Sequence, residues 1–108
     1  MVETTEATLL RIHLGEGDHS HGQPTFEAIV VKAREMGLAG ATVLRGPLGY
    51  GHSSHMHTAK ILRLSEDLPM VIEIIDQPDR IEAFLPVVDS LLQGGLITME
   101  KVRIVRRS

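Results

Sequence analysis

Hydrophobic and polar residues recur with two different periods along the chain, and these periods predict strands and helices. Residues 8–14 alternate with a period of two, as in a half-buried strand. In residues 26–36 apolar side chains recur every three or four positions, which predicts an amphipathic helix of about four turns. Pro24 suits the first position of this helix and Gly37 suits its end. Residues 41–45 then form a second strand.

The second half of the chain repeats this order. Residues 58–64 and 70–75 have strand-like patterns, and the break between them leaves open whether they form one interrupted strand or two. Asp76 is a suitable N-cap for a second helix. The apolar stripe of this helix consists of Ile81, Phe84, Leu85, Val88, Leu91 and Leu92. Residues 97–105 form the last strand, in which Val102 and Ile104 alternate with the rest.

Two successive strand–helix–strand units predict an α+β fold, the ferredoxin-like βαββαβ sandwich. In this fold a four-stranded antiparallel sheet carries two helices on one face. The strands that begin near Ala41 and Ile97 lie at the edges, where unpaired backbone groups invite another chain. Leu9 and Val105 are expected on the open face of the sheet. Neighbouring copies of the chain would cover that face.

Composition restricts the classes of protein to which the chain can belong. Its 108 residues, 43% hydrophobic and 23% charged, fit one soluble domain, which we place at residues 8–108 after a polar leader at residues 1–7. The absence of cysteine excludes disulfides, a catalytic thiol and a thiolate zinc site. No apolar run approaches the roughly 20 residues of a membrane span, and no export signal is visible, so the predicted location is the cytoplasm. A net charge of −3 argues against nucleic-acid binding.

Several segments closely resemble the bacterial and archaeal family known as domain of unknown function 190. The resemblance spans about residues 8–105 and is carried by LAGATVLRG at 38–46, GYG at 49–51, KILRLSEDLP at 60–69 and VIE at 71–73. It continues in the helices, with TFEAI at 25–29 and IEAFLP at 81–86. That family is similar to the PII superfamily, whose members are ferredoxin-like homotrimers that usually bind adenine nucleotides between subunits.

The resemblance implies a regulatory homotrimer rather than an enzyme. Such a protein senses a small anionic ligand, with AMP, ADP or ATP as the expected nucleotide, and signals to a client protein through the loop at residues 46–57. One departure concerns the turn after the second helix, which grips phosphate in PII proteins. Residues 93–96 are too short to supply that turn here.

Candidate ligand-binding residues surround the predicted loop. Closely spaced glycines allow backbone amides to approach an anion, and a basic residue stands on either side of them. A tyrosine can stack on a base, and by the resemblance an arginine near the chain end closes over phosphates held by the next subunit. The candidates are Arg45, Gly46, Gly49, Tyr50, Gly51, Lys60 and Arg103. The alternative interpretation is a hairpin connection that needs positive φ angles, beside a solvated basic strand edge.

Six histidines raise a different hypothesis, because five of them fall in the two predicted loops. His52, His55 and His57 offer nitrogen ligands to a divalent metal such as zinc, copper or nickel. The alternative function is therefore a histidine-rich metal-binding trimer of the CutA type. Unperturbed imidazoles titrate near pH 6.5, so the same side chains would also gain charge on acidification. The sequence contains no arrangement typical of a hydrolytic triad.

Overall fold

The computed structural model of the chain describes residues 2–51 and 67–107. The strands are β1 (Val2–Gly15), β2 (His19–Ser20), β3 (Gln23–Pro24), β4 (Thr42–Arg45), β5 (Pro69–Asp76) and β6 (Leu96–Arg107). The helices are α1 (Thr25–Glu35) and α2 (Pro78–Leu91). The strand predicted at residues 58–64 lies outside the described residues, so the choice between one strand and two stays open. Neither helix of the described ranges is long and apolar enough to cross a membrane.

The four long strands form one antiparallel sheet in the order β4-β5-β1-β6. Strands β4 and β6 lie at the edges, as the sequence predicts, and the two central strands belong to different halves of the chain. Strands β2 and β3 form a separate two-stranded ribbon that leads into α1. This arrangement confirms the predicted ferredoxin-like α+β fold.

The core lies between the sheet and the two helices. Alternate residues of β1 and β5 point toward the helices, which bury their apolar stripes against them. The fully buried side chains include Leu10, Ile12, Ile72, Ile74, Ile29, Ile81, Phe84 and Val88. Truncating the largest of these, Phe84, to alanine would cost roughly 3–5 kcal/mol. Both helices therefore cover the same face of the sheet and leave the other face open.

The N-terminal residues differ from the prediction of a polar leader. β1 begins at Val2, and residues 2–7 pair with the end of β6, from Val2 opposite Arg107 to Ala7 opposite Val102. The side chains of residues 2–6 are exposed, which accounts for their mostly polar pattern, whereas Ala7 is only 2% exposed. Backbone hydrogen bonds to β6 hold this part of the strand in place, and they do not depend on side-chain hydrophobicity.

The faces of β6 also differ from the prediction. Val105 stands opposite Thr4, in register with the helix-facing residues of β1, and it is 55% exposed. Val102 and Ile104 lie on the open face instead. A shift of the register by one residue moves every side chain of a strand to the other face of the sheet, and alternation alone does not say which face the helices cover. Leu9 does lie on the open face, where its neighbours leave only 7% of it exposed.

The helix ends follow the predicted chemistry with small shifts. α1 begins at Thr25, with Pro24 at its N-cap position, and its 11 residues make about three turns rather than four. Gly37 adopts a φ of 77°, and its N–H donates to the carbonyl of Arg34. The N-cap of α2 is Gln77, because Asp76 is still the last residue of β5.

Candidate ligand site

The connection between β4 and β5 begins where the two strands are held close together, at a neck formed by Gly46 and Pro69. The Gly46 N–H donates to the carbonyl oxygen of Pro69, the first residue of β5, at 2.8 Å. A Cβ atom on Gly46 would lie 3.0 Å from Cγ of Pro69, and one on Gly49 would lie 3.1 Å from the same atom. Gly49 also has a φ of +156°. These two glycines are therefore needed for close packing on Pro69, whatever else they bind.

Arg45 lies at this neck, where it is paired with a carboxylate that the sequence analysis missed. Its side chain is 59% exposed, and its Nη1 atom donates to Oε2 of Glu16 at 2.9 Å. Glu16 follows directly after β1, and 29 residues separate the two partners. Only the antiparallel arrangement of the strands brings the end of β1 beside the end of β4, so no local pattern reveals this pair.

Three further backbone donors at this end of the sheet are satisfied by the chain itself. The backbone N–H of Gly15 donates to Asp18 Oδ2, and that of Gly17 donates to Asp67 Oδ1, each at 3.1 Å. The Glu16 N–H donates to the carbonyl of Leu68 at 2.8 Å. Glycine amides beside an arginine are typical of anion sites, and in this structure carboxylates of the protein occupy that role.

Tyr50 extends into solvent beyond the neck. It is 76% exposed, and the neighbouring Leu48 is 68% exposed. Gly51 is exposed, and within the part of the chain that the structure describes a Cβ there would meet no atom within 4 Å. Residues 48–50 therefore present one aromatic ring and one aliphatic side chain to a ligand or a second chain.

Four of the predicted site residues fall outside the described ranges. These are Lys60 and the three candidate metal ligands, His52, His55 and His57. Within residues 2–51 and 67–107, no three His, Asp or Glu side chains are grouped to hold a metal ion. The histidine site stays a prediction.

Arg103 lies far from Arg45 in the same subunit. On β6 it stands opposite Glu6 of β1, whereas Arg45 stands opposite Met70, which itself pairs with Leu14 of β1. Glu6 and Leu14 are eight positions apart, or about 27 Å along the strand. One subunit therefore cannot bring the two predicted arginines to the same small ligand.

Arg103 borders a groove between β6 and the start of α2, with a volume of about 490 Å³. Lys101 and Met99 of β6 line the same groove, and Pro78 and Glu82 of α2 form its opposite wall. Met99 is 46% exposed. Glu6 and Glu100 line the groove as well, so it combines two cationic side chains and three carboxylates with an apolar surface, and its volume lies in the range of small-molecule sites.

The open face of the sheet carries an ion-pair network at its centre. Arg11 Nε donates to Glu73 Oε2 at 2.8 Å, and its Nη1 donates to Glu100 Oε1 at 2.6 Å. The hydrogen bond to Glu73, followed by the one to Glu100, raises the pKa of the Arg11 guanidinium above its ordinary value. Four exposed apolar residues share this face with the network: Leu44, Ile75, Leu96 and, opposite Thr5 near the far end of β1, Ile104.

Comparison with known proteins assigns the family. The model of domain of unknown function 190, described as "Uncharacterized ACR, COG1993", matches residues 7–104. The chain belongs to this family. Within the family it is similar to a UPF0166 protein of Aquifex aeolicus, with 38% identity over 97 residues that cover 90% of this chain and 91% of the relative. A UPF0166 protein of Methanocaldococcus jannaschii is 36% identical over 93 residues, which cover 85% of each chain.

Among solved structures, this member of the family is similar to CPII of Thiomonas intermedia K12, a nitrogen regulatory PII-like protein bound to ADP, AMP and bicarbonate. The TM-score is 0.69 at 14% identity, and the match covers 98% of this chain and 100% of CPII. This similarity confirms the PII-like form of the ferredoxin-like fold.

Proposed function

We propose that this protein is a PII-like homotrimeric regulatory protein that binds a small anionic ligand, an adenine nucleotide, in clefts between its subunits. The fold supports this proposal, because a protein of the same PII-like fold has been solved with ADP and AMP bound. The chain's role is then binding and signalling to a client protein rather than catalysis. Three features of the described residues support the details.

The open face of the sheet supports assembly from identical copies. Leu44, Ile75, Leu96 and Ile104 are each between 39% and 57% exposed on that face. Exposed apolar side chains that share one face of a sheet favour an interface with another chain. Copies of the chain that meet through this face would bury it, together with the Arg11 network.

The distance between the two arginines is the observation that supports a binding cleft between subunits. Arg45 and Arg103 lie at opposite ends of the sheet and about 27 Å apart along β1. A nucleotide is far shorter than this, so it can contact both only if they come from different subunits. The site we propose places Arg45, Gly46, Gly49 and Gly51 of one copy against the Arg103 groove of the next.

The chemistry of both surfaces suits a nucleotide. Arginine side chains bind phosphate through paired N–H donors, and the groove at Arg103 adds a second cation in Lys101. Tyr50, which is 76% exposed, supplies an aromatic face on which adenine can stack. Ligand binding changes the conformation of residues 46–51 only through contacts that the free conformation lacks, which gives the client protein something to recognise.

The proposal is tested by calorimetry and light scattering on the full chain. Titration with ATP, ADP, AMP and adenosine should show binding of the phosphorylated compounds, and light scattering should report three chains. Absence of binding for every nucleotide at about 1 mM would contradict the ligand assignment. A monomer in solution would contradict the cleft.

Mixed assemblies test whether two subunits share the site. Arg45→Ala and Arg103→Ala variants should each bind ADP weakly alone. When they are unfolded together, mixed in equal amounts and refolded, about one cleft in four should pair an intact loop with an intact groove and recover the parent affinity. No recovery is expected if both arginines act within one chain, or if either residue does not contact the ligand.

A further inference from the structure

The turn after β1 holds both ends of the β4–β5 connection. The Glu16 side chain accepts a hydrogen bond from Arg45, the last residue of β4, at 2.9 Å. The backbone N–H of the same residue donates to Leu68, directly before β5, at 2.8 Å. Glu16 therefore contacts the end of β4 through its carboxylate and the residue before β5 through its backbone.

The charges described around this turn disfavour an incoming anion in the free protein. Within residues 2–51 and 67–107, Arg45 contributes one positive charge there, and Glu16, Asp18 and Asp67 contribute three negative charges. Asp18 and Asp67 accept the backbone N–H groups of Gly15 and Gly17, so those donors are occupied as well. A phosphate that reached Arg45 would lie within a few ångströms of the Glu16 carboxylate, where like charges repel.

We infer that Glu16 is an internal competitor for the Arg45 guanidinium, so that an anionic ligand binds Arg45 by displacing the Glu16 carboxylate. This inference rests on the proposed function, in which Arg45 contacts the phosphate of the ligand. The contact from Glu16 uses the single Nη1 atom of Arg45, whose side chain is 59% exposed, so the guanidinium can turn away from it. A phosphate takes the place of the carboxylate through the same kind of charge-assisted hydrogen bond.

Displacement of the Glu16 carboxylate affects the two sides of the neck differently. The bond from the Glu16 backbone to Leu68 does not involve the side chain, so it stays in place when the carboxylate leaves. The hydrogen bond from Glu16 to Leu68 on the β5 side is kept. The contact between Glu16 and Arg45 on the β4 side is replaced by the contact of Arg45 with the ligand. Glu16 thereby couples occupancy of Arg45 to the start of residues 46–51, the part of the chain that we propose the client protein recognises.

The test compares ADP and adenosine binding to the parent and to Glu16→Gln by calorimetry. The amide keeps the shape of the side chain and removes its charge. We expect Glu16→Gln to bind ADP about two- to five-fold more tightly, the range set by an exposed ion pair. Adenosine, which has no phosphate, should bind both proteins equally. Amide hydrogen exchange of residues 46–51 without ligand should be faster in the variant.

Two further variants separate pairing from general charge. Glu35→Gln changes the net charge equally but acts on α1, where Glu35 pairs with Lys32, and it should leave ADP affinity unchanged. Glu16→Asp keeps the charge and withdraws the carboxylate by one methylene, so it should also tighten binding, and it replaces Glu16→Gln if that protein does not fold. If the parent binds ADP and the Glu16 variants bind it with unchanged or weaker affinity, this inference alone is overturned. No ADP binding by the parent or by any variant overturns the proposed function, and the inference with it.

Discussion

The Oδ2 atom of Asp76 accepts a hydrogen bond from the backbone N–H of Ala39 at 2.9 Å, across 37 residues of sequence. The Oδ1 atom of the same carboxylate accepts the N–H of Gln77 at 2.7 Å. Arg80 donates to the carbonyl of Gly37 and lies 3.3 Å from Asp76 through its Nε atom. Asp76, which is only 8% exposed, thus joins through its carboxylate the end of β5, the start of α2 and the segment that links α1 to β4.

Removal of this carboxylate should destabilise the fold. Asp76→Ala leaves the N–H groups of Ala39 and Gln77 without their acceptor and is expected to lower the free energy of unfolding by about 2–4 kcal/mol. Asp76→Asn keeps one oxygen and should cost less. Chemical denaturation measures both effects. The control is Asp89→Ala, an exposed aspartate on α2, for which we expect a change of less than about 0.5 kcal/mol.

A second hydrogen bond closes the far end of α2. Ser20 Oγ donates to the carbonyl oxygen of Leu91, the last residue of that helix, at 2.7 Å, and Thr25 Oγ1 lies 2.8 Å from Ser20 Oγ. Ser20 has one hydroxyl proton, so Thr25 is the donor in the second bond. The pair satisfies a helix-end carbonyl that has no partner within the helix.

Ser20→Ala should therefore destabilise the protein by about 1–3 kcal/mol, because the Leu91 carbonyl and the Thr25 hydroxyl both lose a partner. Ser90→Ala is a matched control one residue from Leu91. Its exposed hydroxyl bonds the Val87 carbonyl within the same helix, and we expect a change below about 0.5 kcal/mol. Equal thermal unfolding of both variants would show that the Ser20 bond adds nothing to stability.

Gly95 determines how the chain passes from α2 to β6. It has a φ of +90°, and a Cβ atom there would overlap the carbonyl oxygen of His13 in β1. Gly95→Ala should cost more than about 2 kcal/mol, because the obstacle is backbone that cannot move aside. Gly40→Ala is the control, since a Cβ at that position meets no atom of the described residues within 4 Å. Thermal denaturation of the two variants should differ clearly.

The pKa shift of Arg11 predicts a flat pH response. Hydrogen bonds to Glu73 and Glu100 raise its pKa above the ordinary value of an arginine, so the stabilisation it provides is complete below that ordinary value and is lost only at higher pH. The difference in Tm between the parent and Arg11→Met should thus be the same at about pH 7 and at about pH 10. A difference that shrinks over this interval would show that another group titrates within the network.

Much of the fold follows from local patterns in the chain. Gly37 ends α1 with the positive φ that its position predicts, and Ile81, Phe84 and Val88 face the core at helical spacing. Strand and helix periods reflect which side chains are buried, and burial of this kind repeats along a single element. Element order then leaves few topologies, of which the observed sheet is one.

The sequence by itself determined the elements, the ferredoxin-like arrangement and the family, because hydrophobic period and characteristic segments are properties of neighbouring residues. Only the tertiary structure decided that Glu16 pairs with Arg45, that Arg103 lies at the opposite end of the sheet, and which face of β6 is covered. The pairing of residues 29 positions apart and the register of an edge strand both depend on how whole strands align. No local pattern contains that alignment, since the backbone hydrogen bonds that fix it are the same for every residue type.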